Sequence, residues 1–296
     1  PNVKSLTLAY ECLEEGKSVS KEVRQKLESM SLESPELEVA KLAASVKLAR
    51  RLNKLLRVDE NTQIDQSYIT NAEYQLFVDE QLNSQERFFP GSAKKPVTNI
   101  SYENALGFCG WLSSKARSTI LGETESQEIY YYRLPSTIES QNYGAKEYTK
   151  LGCWTIGKSI ATEAGIRVVK VKVSQDYDKF VKYLAQKDWQ QADRETAAIM
   201  LKFANQQAEG EFDTYSIERI PCQEIINIEQ LWLIHSNGCF GLGMQSSSWQ
   251  NIPGNQIQKF DLFTEILGWR DIGNQSLLKY EEITFKLVAP AGHLPC

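Results

Sequence analysis

The sequence predicts a multidomain chain: a helical arm, a mixed α+β segment and an all-α C-terminal segment. Three observations carry this expectation. Residues 5–57 place apolar side chains at three-to-four spacing, and residues 66–173 mix short apolar strands with helices. From Asp176 helical spacing returns, broken by the glycine-rich run IEQLWLIHSNGCFGLGMQ at 228–245. The domain limits read from these changes are 1–65, 66–173 and 174–296.

In the arm, the clearest helix opens at Ser34-Pro35-Glu36, with Ser34 as N-cap and proline at the first helical position. Leu37, Ala40, Ala44, Leu48, Leu52 and Leu55 share one face. Arg50, Arg51, Lys54 and Arg57 crowd the end, where cations complement the helix dipole. That cluster reads as a solvated helix end, with an anionic partner as the alternative. The polar stretch VDENTQIDQ, 58–66, reads as a linker.

The middle segment predicts an N-capped helix from Ile69-Thr70-Asn71 and a short strand over 95–101. A helix over 102–112 and strands over 129–134 and 166–171 follow. In the last segment, Tyr177, Phe180, Val181 and Leu184 form one apolar helix face, and Trp189, Ala192, Thr196, Ile199, Met200 and Phe203 the next. Asp193 and Glu195 sit two apart, on different helix faces, and read as surface carboxylates. Ser236-Asn237-Gly238 reads as a helix stop with glycine in the left-handed position. The run that follows, Phe240 to Gln245, fits two readings. It is either core around a tight turn, or a surface whose glycines let a flat ligand approach the backbone.

Composition excludes several function classes. The chain has 296 residues, 42% hydrophobic and 24% charged, the balance of a soluble globular protein. A net charge of −5 argues against nucleic-acid binding, which needs a basic stripe. No apolar run reaches the length of a membrane span. Pro1 in place of methionine points to a processed product or a piece of something longer. Six cysteines (Cys12, Cys109, Cys153, Cys222, Cys239, Cys296) stand singly, which points to free thiols and a cytoplasmic location. With only His235 and His293, a histidine metal centre and Ser-His-Asp chemistry are disfavoured. Both histidines and Cys239 read as structural, with axial haem ligation as the alternative for His235 and Cys239.

Two resemblances sharpen this. ITNAEYQLFV (69–78), PVTNISYENALGFCGWL (96–112), YRLPSTIES (132–140), GCWTI (152–156) and GIRVVK (165–170) resemble the formylglycine-generating-enzyme domain, a variant of the C-type lectin fold. The resemblance implies a C-type-lectin-like α+β domain, here reduced. The family's acid-and-tryptophan motif end is replaced by Thr137-Ile138-Glu139-Ser140-Gln141, and no histidine lies within 66–173. A display scaffold is therefore expected rather than an oxidative enzyme, with Cys109 and Cys153 the pair to check.

YLAQKDWQQADRETAAIML, IPCQEIINIEQLWLIHSNGCFGLGMQSSSW, ILGW and ITFKLVAPAGHLP resemble the Genomes-Uncoupled-four family across 176–296. That resemblance implies a compact helical domain that binds a tetrapyrrole, protoporphyrin IX or its magnesium form. It also implies a non-enzymatic regulatory role in cyanobacteria and plastids. The partner implied is a protein of a chelatase, protease or signalling assembly. The lining it implies is Phe212, Ile217 and Ile220 in the 206–222 loop, with Trp232, Phe240, Leu242, Met244, Trp249, Trp269 and Phe285. Arg219, Arg270 and Lys286 are the basic residues available to meet propionates. A protein-interaction module that has lost the ligand is the competing expectation.

Overall fold

Where apolar side chains recur three and four apart at the N-terminus, helices form: α1 (Val3–Glu14), α2 (Lys21–Ser29) and α3 (Leu37–Asn53). Leu6, Ala9, Leu27 and Val46 make their shared core, flanked by Leu13, Val23 and Leu42. The chain is seen in a computed structural model that describes residues 2–82, 92–117, 128–156, 163–271, 273 and 276–296. It divides into two compact units, 1–172 and 173–296, so the expected separate arm belongs to the first unit. The start of α3 differs from expectation. Leu37 is its first helical residue, and Ser34 instead holds the Glu36 amide at 3.2 Å in the preceding turn.

The expected linker is not a linker. It forms β1 (Leu56–Arg57) and β2 (Thr62–Ile64), and β2 pairs antiparallel with a later strand, β6, at Thr62 with Val171 and Ile64 with Val169. Polar composition misled here, because the short strand buries Ile64 alone and leaves its neighbours half-exposed. Next come α4 (Asn71–Phe77), opened by a capping box between Thr70 and Glu73, and α5 (Tyr102–Arg117). The expected strand over 95–101 is reduced to one bridge between Thr70 and Pro96, since proline cannot donate to a ladder.

β3 (Ile129–Arg133), α6 (Thr137–Asn142), β4 (Gly152–Cys153), β5 (Ala164–Gly165) and β6 (Val169–Val173) complete the mixed region. The sheet order is β1-β2-β6-β3, and β4 pairs parallel with β5. Tyr74, Phe77, Phe108 and Trp111 pack ring against ring at 5.5–6.1 Å between α4 and α5.

The basic end of α3 is only partly solvated. Arg51, its side chain 9% exposed, grips Glu73 with two bonds, 2.9 and 3.0 Å, and Asp65 with a third at 2.8 Å. Glu73, fully buried, also accepts from the Thr70 amide and hydroxyl at 2.8 and 2.7 Å. The Asp65 carbonyl takes two bonds from the buried Arg167 guanidinium, at 3.0 and 2.8 Å. Every charge in the cluster is thereby compensated, which a buried ion pair requires.

The second unit is helical: α7 (Asp178–Ala185), α8 (Trp189–Ala204), the single turn α9 (Thr214–Ile217), α10 (Cys222–His235), α11 (Leu242–Asn251) and α12 (Gln256–Ile266). Among the described residues no helix is long and apolar enough to cross a membrane, and no group of three or more His, Cys, Asp or Glu side chains converges to hold a metal.

Replacing Arg51 by Ala leaves two buried carboxylates without their cation. Urea denaturation should show a loss on the order of 3–5 kcal/mol. A change below about 0.5 kcal/mol, the size of an exposed pair, would contradict this account.

Candidate functional site

The aromatic residues expected to line one face separate into two layers. Trp232 and Phe240 have no exposed surface. Trp232 stacks on Trp189 at 6.0 Å and meets Phe240 and Phe180 at 6.2 and 6.1 Å. Its Nε1–H donates to the Thr196 hydroxyl at 3.0 Å. Both residues are core beneath the surface, and Ile220 is likewise buried. The outer layer is half-buried. Trp249 meets Phe263 edge-on at 5.3 Å, and Phe263 meets Trp269 edge-on at 5.8 Å. Leu242 and Met244 on α11 are half-buried, while Ile257, Phe260 and Ile266 of α12 are exposed. The Lys259 ammonium stands 5.6 Å from the Trp249 ring centroid. Phe212 is half-buried, Ile217 is exposed on α9, and Phe285 packs on Tyr280 at 5.3 Å.

The glycines of the 240–245 run have another use than admitting a flat ligand. Phe240 to Gln245 does not alternate as a strand, because α11 begins at Leu242. The Glu229 carboxylate reaches from α10 to that helix start and accepts the Gly243 amide at 3.0 Å. A Cβ on Gly241 or Gly243 would lie 2.7 Å from a Glu229 oxygen, and Gly241 has φ +148°. Helix N-terminal amides favour an anion there. Burial nonetheless pushes the carboxyl above its ordinary value, and the Gly243 and Leu242 amides oppose this only in part. Sequence reading missed Glu229, since nothing local marks a carboxylate that acts fourteen residues away.

Segment 289–295 holds the unit together. His293 is buried; its Nδ1–H donates to the Leu267 carbonyl and its Nε2 accepts the Thr284 amide at 3.2 Å. A carbonyl only accepts and an amide only donates, so these partners fix a neutral Nδ1–H tautomer. Trp269 donates to the His293 carbonyl at 2.7 Å, and Gln245 to the Gly292 carbonyl at 3.0 Å. The Cys239 thiol is half-buried 3.9 Å from the Leu287 carbonyl, where burial raises it.

Asp193 is not a surface carboxylate. It is buried, accepts the Tyr280 hydroxyl at 2.9 Å and the Cys296 amide at 2.7 Å, and is raised by burial against these bonds. Among the basic candidates, Arg270 is engaged with Asp261 at 2.7 Å and Thr264 at 3.1 Å, while Arg219 and Lys286 are exposed. Lys259 and Phe263 were not singled out from sequence, although the spacing of Phe260, Phe263 and Leu267 carried Phe263. In the first unit, burial raises the Cys109 thiol well above its ordinary range and the Cys153 thiol to about 11, so both are protonated near neutrality.

Residues 55–205, just over half the chain, match the family described as sulfatase-modifying factor enzyme 1-like domain, and residues 170–296 match the GUN4-like family. The chain belongs to the first of these families, and its C-terminal part, residues 170–296, is similar to the second. The matches overlap on 170–205, where the division of the fold places α7 and α8 with the GUN4-like part. One relative is the uncharacterized protein ycf53 of Porphyra purpurea, 30% identical over 133 residues, covering 44% of this chain and 54% of the relative. Another is the chloroplastic tetrapyrrole-binding protein of Arabidopsis thaliana, 24% identical over 129 residues, covering 40% and 47%. The chain spans about half the length of the curated relatives it matches. The ligand-free structure of Arabidopsis thaliana GUN4 aligns at 24% identity and TM-score 0.36, over 42% of this chain and 83% of that one.

Two outcomes are expected at Glu229. Gly243→Ala should destabilise by about 1–3 kcal/mol through overpacking. Combined with Glu229→Ala the cost should shrink, giving a coupling above about 0.5 kcal/mol in a double-mutant cycle; additive losses would sink the contact. The second outcome concerns pH. A folded carboxyl that titrates above the unfolded value of about 4.3 keeps its proton longer in the folded state. Its contribution is full below the unfolded value and is lost as pH rises through the folded one. Glu229→Gln should therefore gain on the wild type from about pH 4 to pH 7 in denaturant midpoints, and a constant difference would refute the shift.

Proposed function

We propose that the GUN4-like unit binds a tetrapyrrole, protoporphyrin IX or magnesium protoporphyrin IX, and acts as a non-enzymatic sensor or regulatory adaptor. The observation that carries this is the half-exposed aromatic ladder of Trp249, Phe263 and Trp269, with Lys259 above Trp249. A flat macrocycle buries large apolar area against such rings, at about 25 cal/mol per Å². A cation beside the rings suits a carboxylate at the macrocycle edge. The residues present therefore fit the group. In this reading Leu242, Met244, Trp249, Trp269, Phe285, Phe212 and Ile217 line the site, while Trp232, Phe240 and Ile220 support it from below. The name of the Arabidopsis relative agrees with this ligand class.

The regulated partner is a protein of a chelatase, protease or signalling assembly. Side chains as exposed as Ile257, at 77%, and Val288, at 86%, favour a protein surface as the second occupant of this unit.

Titration of the full chain with each porphyrin, read by tryptophan fluorescence and porphyrin absorbance, should quench saturably in the micromolar range or tighter. Trp249→Ala should weaken binding about tenfold, the equivalent of 1.4 kcal/mol. The Trp249 side chain is half-buried and meets Phe263 and Lys259 through its ring, and alanine keeps its backbone bond, so folding should survive the change. Absence of saturable quenching by a folded chain rejects tetrapyrrole binding and leaves the protein-interaction reading.

A further inference from the structure

A cavity of 380 Å³ lies in the first unit, among α1, the turn after α2 and α3. Its polar lining is Lys47, Arg50, Lys94 and Ser31, and its apolar wall includes Tyr10 and Met30. The lining contains three cations and no carboxylate. The cations are held for different reasons. Arg50 stands over the Tyr10 ring, its guanidinium carbon 4.2 Å from the centroid, and pairs at its far end with Glu14. That leaves its Nε–H buried with no hydrogen-bond partner. A buried donor of this kind is costly unless something accepts from it. Lys47 is half-buried on the next turn back, with its ammonium 3.4 Å from the Thr70 hydroxyl. Burial pulls it below its ordinary value; Glu73 opposes this, Arg51 and Lys94 add to it, and Glu147 opposes it weakly.

We propose that this cavity binds a small organic oxyanion, a phosphate or carboxylate attached to an apolar body. The oxyanion accepts from Arg50 Nε and from Lys47 and Lys94, and the apolar body packs against Tyr10 and Met30. The cavity volume fits a small molecule, and its mixed lining matches the usual pattern of convergent polar groups in an apolar wall. The site lies wholly within residues 1–172 and stands apart from the tetrapyrrole reading of the other unit.

Calorimetric titration of the full chain with phenyl phosphate and with benzoate tests it, with inorganic phosphate as the probe lacking an apolar body. Saturable binding of phenyl phosphate or benzoate is expected, at least tenfold tighter than inorganic phosphate for the matching group, and the stronger of the two names the oxyanion. Lys47→Met and Arg50→Gln should each weaken it at least tenfold. Lys54→Met, which removes an exposed cation that pairs with the same Glu14, should leave it unchanged. A folded wild-type chain that binds neither organic probe overturns the proposal. So does binding that persists in folded Lys47→Met and Arg50→Gln variants, or that falls equally with Lys54→Met.

Discussion

Gly292 donates its amide to the Cys239 carbonyl at 2.7 Å, and two residues later the Leu294 carbonyl accepts the Gly241 amide at 2.9 Å. Between them, His293 bonds to the end of α12 and to the Thr284 amide, and its carbonyl takes the Trp269 indole. Segment 289–295 thus satisfies backbone groups, several of them buried, from the turn after α10, the start of α11, the end of α12 and the chain near Thr284. Buried backbone groups go unpaired only at considerable cost, so these segments are fixed together or not at all. The half-exposed ring ladder inherits its geometry from this segment, because Trp269 is held by it and Met244 packs where Gly292 leaves room.

The first unit solves a similar problem with charge. Arg51 ties the last turn of α3 to Glu73 at the start of α4 and to Asp65 beside β2, so the N-terminal helices and the sheet share one polar centre. Removing water from three charges is expensive, and the cluster persists because the Thr70 and Ser67 groups take up the remaining lone pairs. The neighbouring cavity follows from the same crowding. Arg51 uses both nearby carboxylates, which leaves Lys47, Arg50 and Lys94 around a space with none in its lining.

Helices with a clear apolar face were legible in the sequence, and so were the caps at Thr70 and Gly238, because each depends on residues within four positions. What escaped depends on partners far along the chain. VDENTQIDQ looked like a linker because a strand that buries one side chain carries no alternation to read. Arg51 looked solvated because its carboxylates lie fourteen and twenty-two residues away. Asp193 looked exposed because Tyr280 closes over it from 87 residues on. Glu229 had no local sign at all. At the candidate site, residue types were legible and depth was not. Trp232 and Trp249 are the same side chain in similar company, yet one is sealed against Trp189 and the other meets solvent.

That difference in depth bears on what the family motifs can say. In A-D-R-E-T, Asp193 and Thr196 make internal bonds to Tyr280 and Trp232. In L-W-x-x-x-S, Trp232 is core and Ser236 holds the Phe240 amide at 2.9 Å. In A-P-A-G-H-L-P, His293 is committed on both ring nitrogens. The strings that carry the resemblance therefore specify a scaffold, and none of their polar groups named here is free to choose a ligand. In the proposed reading, selection falls to less buried side chains: Lys259, Phe260 and Phe263 on α12, outside the strings, with Trp249 and Ile266 at their ends. In that reading, changing Lys259, Phe260 or Phe263 would alter what is bound while every signature residue is kept. Substitutions on that helix, which leave the bonds of segment 289–295 intact, separate the scaffold from the site.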